Sequence, residues 1–267
     1  MNTRMILGKF QTGLPALFDP LSASTIISGR SRSGKSTALY SILAGLVDSP
    51  VRVFGCDPTG VCFNALGDGL GGRAFRVSTL RDPPALIDVM EKIVAVMDKR
   101  IDKLLAEQTD KFVDFDRNFP ALLGVFEEYP GIMGILHSWD AANGLKPAER
   151  LAPQFERLIQ RLALEGRKVG IYLLICIQRG DVAALGSAGG ILRSQLGNRL
   201  SFAQDPDGLR MLHGSTLTEE ILAAAAGFLP GQGLFQLETE PAPRIWRADP
   251  TTYLELVTMY KTRPIPH

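Results

Sequence analysis

The sequence predicts an α/β protein with a mostly parallel central sheet flanked by helices on both faces. Apolar runs bounded by turn residues alternate with longer helical patterns, the sequence form of βα units. A glycine-rich loop, GRSRSGKST at residues 29–37, lies between the apolar run TIIS and an amphipathic helical segment. Polar residues also collect where the apolar runs end, which is where an open α/β sheet places its ligand site.

Taken in order, buried strands are predicted over 24–28, 51–56, 121–126, 171–177, 199–202 and 233–236. Helices are predicted over 35–47, 83–107, 147–165 and 218–226. In the second helix Leu86, Val89, Met90, Ile93, Met97, Ile101 and Leu104 recur at three- and four-residue steps, opposite Asp88, Lys92, Lys99 and Lys103. That pattern is one buried stripe on a surface helix. The glycine-dense stretches 67–72 and 186–190 read as exposed loops.

The chain has 267 residues, 45% hydrophobic and 21% charged, enough to bury a sizeable core, and no linker divides it. One domain spanning 1–267 is expected. A net charge of +1 gives no global attraction to nucleic acid, so any anion binding must come from local placement of Lys and Arg. Cys56, Cys62 and Cys176 form no CxxC pair and read as buried small hydrophobes in a reducing compartment. The longest apolar stretches, 169–177 and 221–229, are about half the ~20 residues of a membrane-spanning helix, and the first residues carry no secretion signal. A cytoplasmic protein is expected, with membrane contact only through a partner.

Gly29, Gly34, Lys35 and Ser36 satisfy GxxxxGK(S/T), the P-loop. Its glycines let successive backbone N–H groups turn toward phosphates, so Gly29, Arg30, Ser31, Arg32, Ser33, Gly34, Lys35, Ser36 and Thr37 form the expected ATP cradle. Lys35 would reach the β- and γ-phosphates, and the Ser36 hydroxyl would bind Mg2+. The helix that follows points its positive dipole end at the same anion. An ATPase further needs an acid near the metal and a group to orient water. ALLGVFEEYPG supplies Glu127 for the first role and Glu128 for the second. The extra methylene of Glu127 over an aspartate moves its oxygens by roughly one bond, compatible with metal contact through water. Tyr129 and Pro130 end the strand. A third apolar run ends on Gln178 and Arg179, placing a γ-phosphate sensor on the same edge. LRSQLGNRLSF puts Arg193 in a loop and Arg199 at the start of the next strand. Arg179 and Arg199 are candidates to complete the site of a neighbouring subunit.

With these pieces in order, the chain resembles the FtsK/SpoIIIE family of double-stranded DNA translocases over nearly its whole length. CDPTGV (56–61) is similar to that family's aspartate-proline-lysine-glycine turn, and VMDKRIDKLL (96–105) to one of its helices. Residues 155–179 resemble its long helix and threonine-glutamine-arginine strand, 192–202 its basic loop and strand-start arginine, and FLPGQGLFQL (228–237) its glycine-x-glycine hairpin. The resemblance implies a RecA-like P-loop NTPase that forms a homo-oligomeric, hexameric ring, hydrolyses ATP at subunit interfaces and moves duplex DNA through the pore. It places Arg193 at a DNA-contacting pore position and implies a membrane-associated or DNA-processing recruiting protein. Glu127, Ile177, Thr59 and Gly180 depart from the family's aspartate, threonine, lysine and proline, and neither membrane helices nor a winged-helix DNA reader is expected within these residues. Two alternatives keep the ATP site: a type VII secretion-like ATPase acting on protein cargo, and a nucleotide-gated assembly module with weak hydrolysis.

Overall fold

Strands that are hydrophobic on both faces have to lie between two layers, and that requirement builds the sheet. In a computed structural model, which describes residues 3–178, 185 and 189–262, the strands are β1 (Met5–Phe10), β2 (Pro15–Phe18), β3 (Thr25–Ser28), β4 (Val51–Asp57), β5 (Arg76–Ser78), β6 (Ala121–Phe126), β7 (Ile171–Ile177), β8 (Asn198–Phe202), β9 (Gln232–Gln236) and β10 (Arg244–Ala248). They form one sheet in the order β2-β1-β10-β9-β8-β3-β7-β6-β4-β5. Pairing is parallel from β8 through β3, β7, β6 and β4 to β5. Every residue of β3, β6 and β7 is buried.

Side chains alternate across the sheet, so neighbours serve different layers. Ile26 joins a core formed with α3 (Pro83–Ala106), α4 (Tyr129–Ala142), α5 (Leu151–Glu165) and α6 (Gly189–Gln195). Ile27 joins a second core under α1 (Lys35–Gly45), α2 (Val61–Ala65) and α9 (Tyr253–Thr262). α7 (Pro206–His213) and α8 (Glu219–Ala225) close a smaller cluster around Leu234. Cys56, Cys62 and Cys176 are buried and free, as expected. Among the described residues no helix is long and apolar enough to cross a membrane.

The structure adds two features to these expectations and corrects two others. The sheet continues past β8 in antiparallel pairings to β9, β10, β1 and β2, a half of which only β9 is predicted from its pattern. The segment after Glu128 is helix α4, which starts at Tyr129 with Pro130 in its first turn, where its missing N–H costs nothing. The helix expected over 147–165 is interrupted at the extended Arg150. There the buried Asp140 carboxylate accepts from the Leu151 and Ala152 N–H groups at 2.7 and 3.1 Å and restarts the helix. Gly189 and Gly190 begin α6, so Arg193 is helical and not in a loop, because Leu192 and Leu196 are both drawn into the core.

Candidate functional site

β3 ends at Ser28 and α1 begins at Lys35, leaving six residues to turn. Gly34 makes the turn with φ 117 and caps α1 without any side-chain acceptor, so its first N–H groups are left facing out. A side chain at Gly34 would also meet the Gly231 backbone nitrogen at 3.0 Å. The loop is tied on one side by Arg30 N–H to Ala203 O (2.9 Å) and on the other by Gly231 N–H to Ser33 O (2.8 Å). Lys35 Nζ donates to Gly29 O at 2.5 Å and Arg30 O at 3.2 Å, carbonyls of the loop it closes. Burial lowers its pKa, opposed by the charges of Glu128 and Glu127. Ser33 Oγ is buried without a partner inside the same loop. This is a cradle of unspent N–H and O–H donors around a lysine, the chemistry a polyphosphate needs.

The parallel register carries the next strand ends to the same edge. Phe126 lies opposite Cys56 on β4 and Ile175 on β7, so Glu127 emerges beside Asp57. Glu127 Oε1 accepts from Ser36 Oγ at 3.4 Å. Burial, with the Asp57 charge second, pushes the Glu127 carboxyl up to about 7. Asp57 is fully buried, and four donors already occupy its oxygens: Thr59 N–H (2.9 Å), Thr59 Oγ1 (2.8 Å), Cys62 N–H (2.7 Å) and Phe63 N–H (3.3 Å). Cys62 lies with these two acids within 4.8 Å, but burial raises its thiol pKa well above the ordinary value and keeps it protonated. Oxygen donors suit a hard divalent cation, and Ser36 with Glu127 fits one. Glu128 adopts the left-handed region, φ 58 and ψ 56, at the N-cap of α4. Such a conformation costs a non-glycine residue about 1 kcal/mol or more.

β7 pairs Ile177 with Ser28, so Gln178 follows beside the start of the loop. A cleft of about 520 Å³ brings Lys35, Ser36, Thr37, Glu127, Glu128 and Gln178 to one surface. Ser31, Arg32 and Gly34 line it as well. Two predicted arginines do not join it. Arg199 lies opposite Ile26, at the other end of the parallel strands from the loop. Its Nε is buried without a partner, and burial with the nearby Arg193 charge lowers its pKa. Arg193 Nη1 donates to Met211 O at 2.8 Å. Arg179 lies outside the described residues.

The opposite wall of the cleft, Pro230, Gly231, Arg247, Ala248 and Pro250, was not anticipated as site. The Pro-Gly pair was a usable turn signal for part of it, whereas nothing local marks Arg247. Beneath the loop a buried polar chain was missed too. Gln204 Nε2 donates to Ser28 Oγ (2.8 Å), which donates to Ser201 Oγ (3.1 Å). Ser201 Oγ meets His213 Nε2 (2.9 Å), and His213 Nδ1 meets Gln236 Oε1 (2.7 Å). A carbonyl oxygen only accepts, so Nδ1 carries the proton and Nε2 receives the serine hydroxyl. Burial pushes the His213 pKa down to about 4.

Residues 2–143, which contain the P-loop, the Glu127-Glu128 pair and α4, match the FtsK/SpoIIIE family. The chain belongs to that family. This FtsK/SpoIIIE-family chain is 30% identical over 203 residues to the transfer protein TraSA of Streptomyces ambofaciens, covering 73% of the chain and 47% of TraSA. It is 21% identical over 196 residues to the DNA translocase FtsK of Staphylococcus aureus, covering 67% of the chain and 22% of that protein. The chain therefore spans less than half the length of these curated relatives. Among solved structures, the monomer form of the pCW3 conjugation coupling protein TcpA with ATPγS superposes with a TM-score of 0.69 at 21% identity, covering 93% of the chain and 66% of that protein. The cytoplasmic domain of the Thermomonospora curvata type VII secretion ATPase EccC also gives 0.69, at 19% identity, covering 99% and 32%. At these identities the likeness is one of fold, and the fold is that of P-loop ATPases.

Proposed function

We propose that the chain is an ATP-driven motor domain that works in a ring of its own copies and moves double-stranded DNA through the centre. The convergence of Lys35, Ser36, Glu127, Glu128 and Gln178 on one cleft carries the reading. Family membership and the similarity to a transfer protein and a DNA translocase support it. In this reading the loop N–H groups and Lys35 bind the ATP phosphates, and Ser36 and Glu127 hold Mg2+. Glu128 orients the attacking water from its left-handed perch, and Gln178 reports the γ-phosphate to the edge of β7. Arg199 lies at the far end of the parallel strands from its own loop, which in this reading leaves it to a neighbour's site. Arg179 is a second candidate for that role, and Arg193 for contact with DNA phosphates.

ATP hydrolysis measured against duplex length and salt tests the proposal. The expected result is several-fold stimulation by duplex DNA that fades as salt rises, because contact with phosphates releases counterions. Hydrolysis indifferent to every duplex length would refute the DNA motor, and stimulation by peptide alone would reassign the cargo to protein.

A further inference from the structure

We infer that a second cavity, across the 57–60 turn from the P-loop, binds the phosphate group of a small molecule. The cavity measures about 510 Å³ and is lined by Arg76, Arg73, Asn64, Ser78, Thr79 and Tyr253, with Thr59 shared between it and the P-loop cleft. Arg76 is the unusual member, being 7% exposed. Its Nε donates to Gly72 O at 2.6 Å and its Nη2 to Gly67 O at 2.9 Å, while Nη1 is buried with no partner. Neutral carbonyls do not offset a buried guanidinium charge, and no carboxylate among the described residues pairs with it. Burial, with the positive charge of Arg73 second, lowers the Arg76 pKa to about 10, opposed only in part by the charge of Asp68. The one acid held by Arg73, Asp68 at 3.0 Å, forms an exposed pair with 66% and 60% of the side chains accessible. Such a pair is worth little and leaves Arg73 able to turn to a ligand.

Two guanidinium groups, the hydroxyls of Ser78, Thr79 and Tyr253 and the Asn64 amide, with no carboxylate in the lining, make a donor set suited to a phosphate. The volume lies in the range of small-molecule pockets, which favours a small phosphorylated ligand over a nucleic-acid backbone. The site adjoins the nucleotide cleft at Thr59, but Arg73 and Arg76 line this cavity and not that cleft.

Calorimetric titration with inorganic phosphate at constant ionic strength tests this, first on the chain saturated with Mg-ATPγS and then on Lys35→Ala without nucleotide. One phosphate per chain is expected in both. Arg76→Ala removes the staple on the 67–72 loop and can fail to fold, so the test rests on Arg73→Glu, at an exposed position, and on Arg76→Lys. Binding should fall about tenfold or more in Arg73→Glu and by less in Arg76→Lys, which keeps the charge without the fork geometry. AMP should displace the phosphate. No uptake once the P-loop is filled, uptake unchanged in Arg73→Glu, or displacement by duplex DNA and not by AMP would overturn the inference. If ATPγS fails to bind while Lys35→Ala still takes up phosphate, the nucleotide reading of the first cleft fails and this one stands.

Discussion

Acid should destabilise this protein through one histidine. His213 is held neutral between Ser201 and Gln236, with a pKa of about 4 in the fold against the ordinary 6.5. The unfolded chain then binds more protons than the fold between those values, so this contribution is complete above pH 6.5 and is lost as pH falls toward 4. The gap corresponds to roughly 3 kcal/mol, most of it gone by pH 4.5, a large share of the 5–15 kcal/mol that keeps a domain folded. Carboxylates titrate in the same range, so the wild type must be compared with His213→Gln by urea unfolding at fixed ionic strength from pH 7.5 to 4.5. The variant starts lower, because Ser201 and Gln236 lose an ideal partner, and its curve should be flatter by about 2–3 kcal/mol over the range. Parallel curves would show that His213 does not carry the acid sensitivity and would refute the proton assignment in the chain beneath the loop.

Three further outcomes are expected at the cleft. Lys35→Ala should abolish detectable ATP turnover and weaken nucleotide binding by at least about tenfold, read by fluorescent nucleotide titration. Glu128→Gln should bind ATP as well as the wild type while turnover falls about a hundredfold or more, checked by binding and single-turnover assays on the same preparation. Because Glu127 ionises near 7, Mg2+-dependent nucleotide binding should weaken as pH drops from 8 to 6, up to about tenfold per unit below that value, whereas Glu127→Gln should show weak, pH-independent binding.

What the sequence reveals here is what is local. The P-loop is contiguous, and β3, β6 and β7 are apolar on both faces, so their hydrophobicity alone marks them. The antiparallel half has no such signal. β10, RIWRA, is short and partly charged, and β1 carries Gly8 and Lys9 in its middle. α4 hides behind Tyr-Pro-Gly and a second glycine, Gly134, yet the apolar residues Ile132, Met133 and Leu136 hold it against the sheet. Of the site, Lys35, Ser36, Glu127, Glu128 and Gln178 are legible because each ends or follows a recognisable run. Asp57 is legible only as part of the CDPTGV turn, since its four hydrogen bonds form only once α2 has folded back over it. The wall containing Arg247 depends on the antiparallel strands and could not be read without them.

The two backbone bonds that hold the P-loop reach different neighbours, Ala203 just past β8 and Gly231 just before β9. Those residues bracket the 204–230 excursion, which carries α7 and α8. A displacement of the loop is thus not absorbed by a slack connection. Both ends of one two-helix lobe are tied to the phosphate loop, so the position of the lobe is set by the loop it flanks.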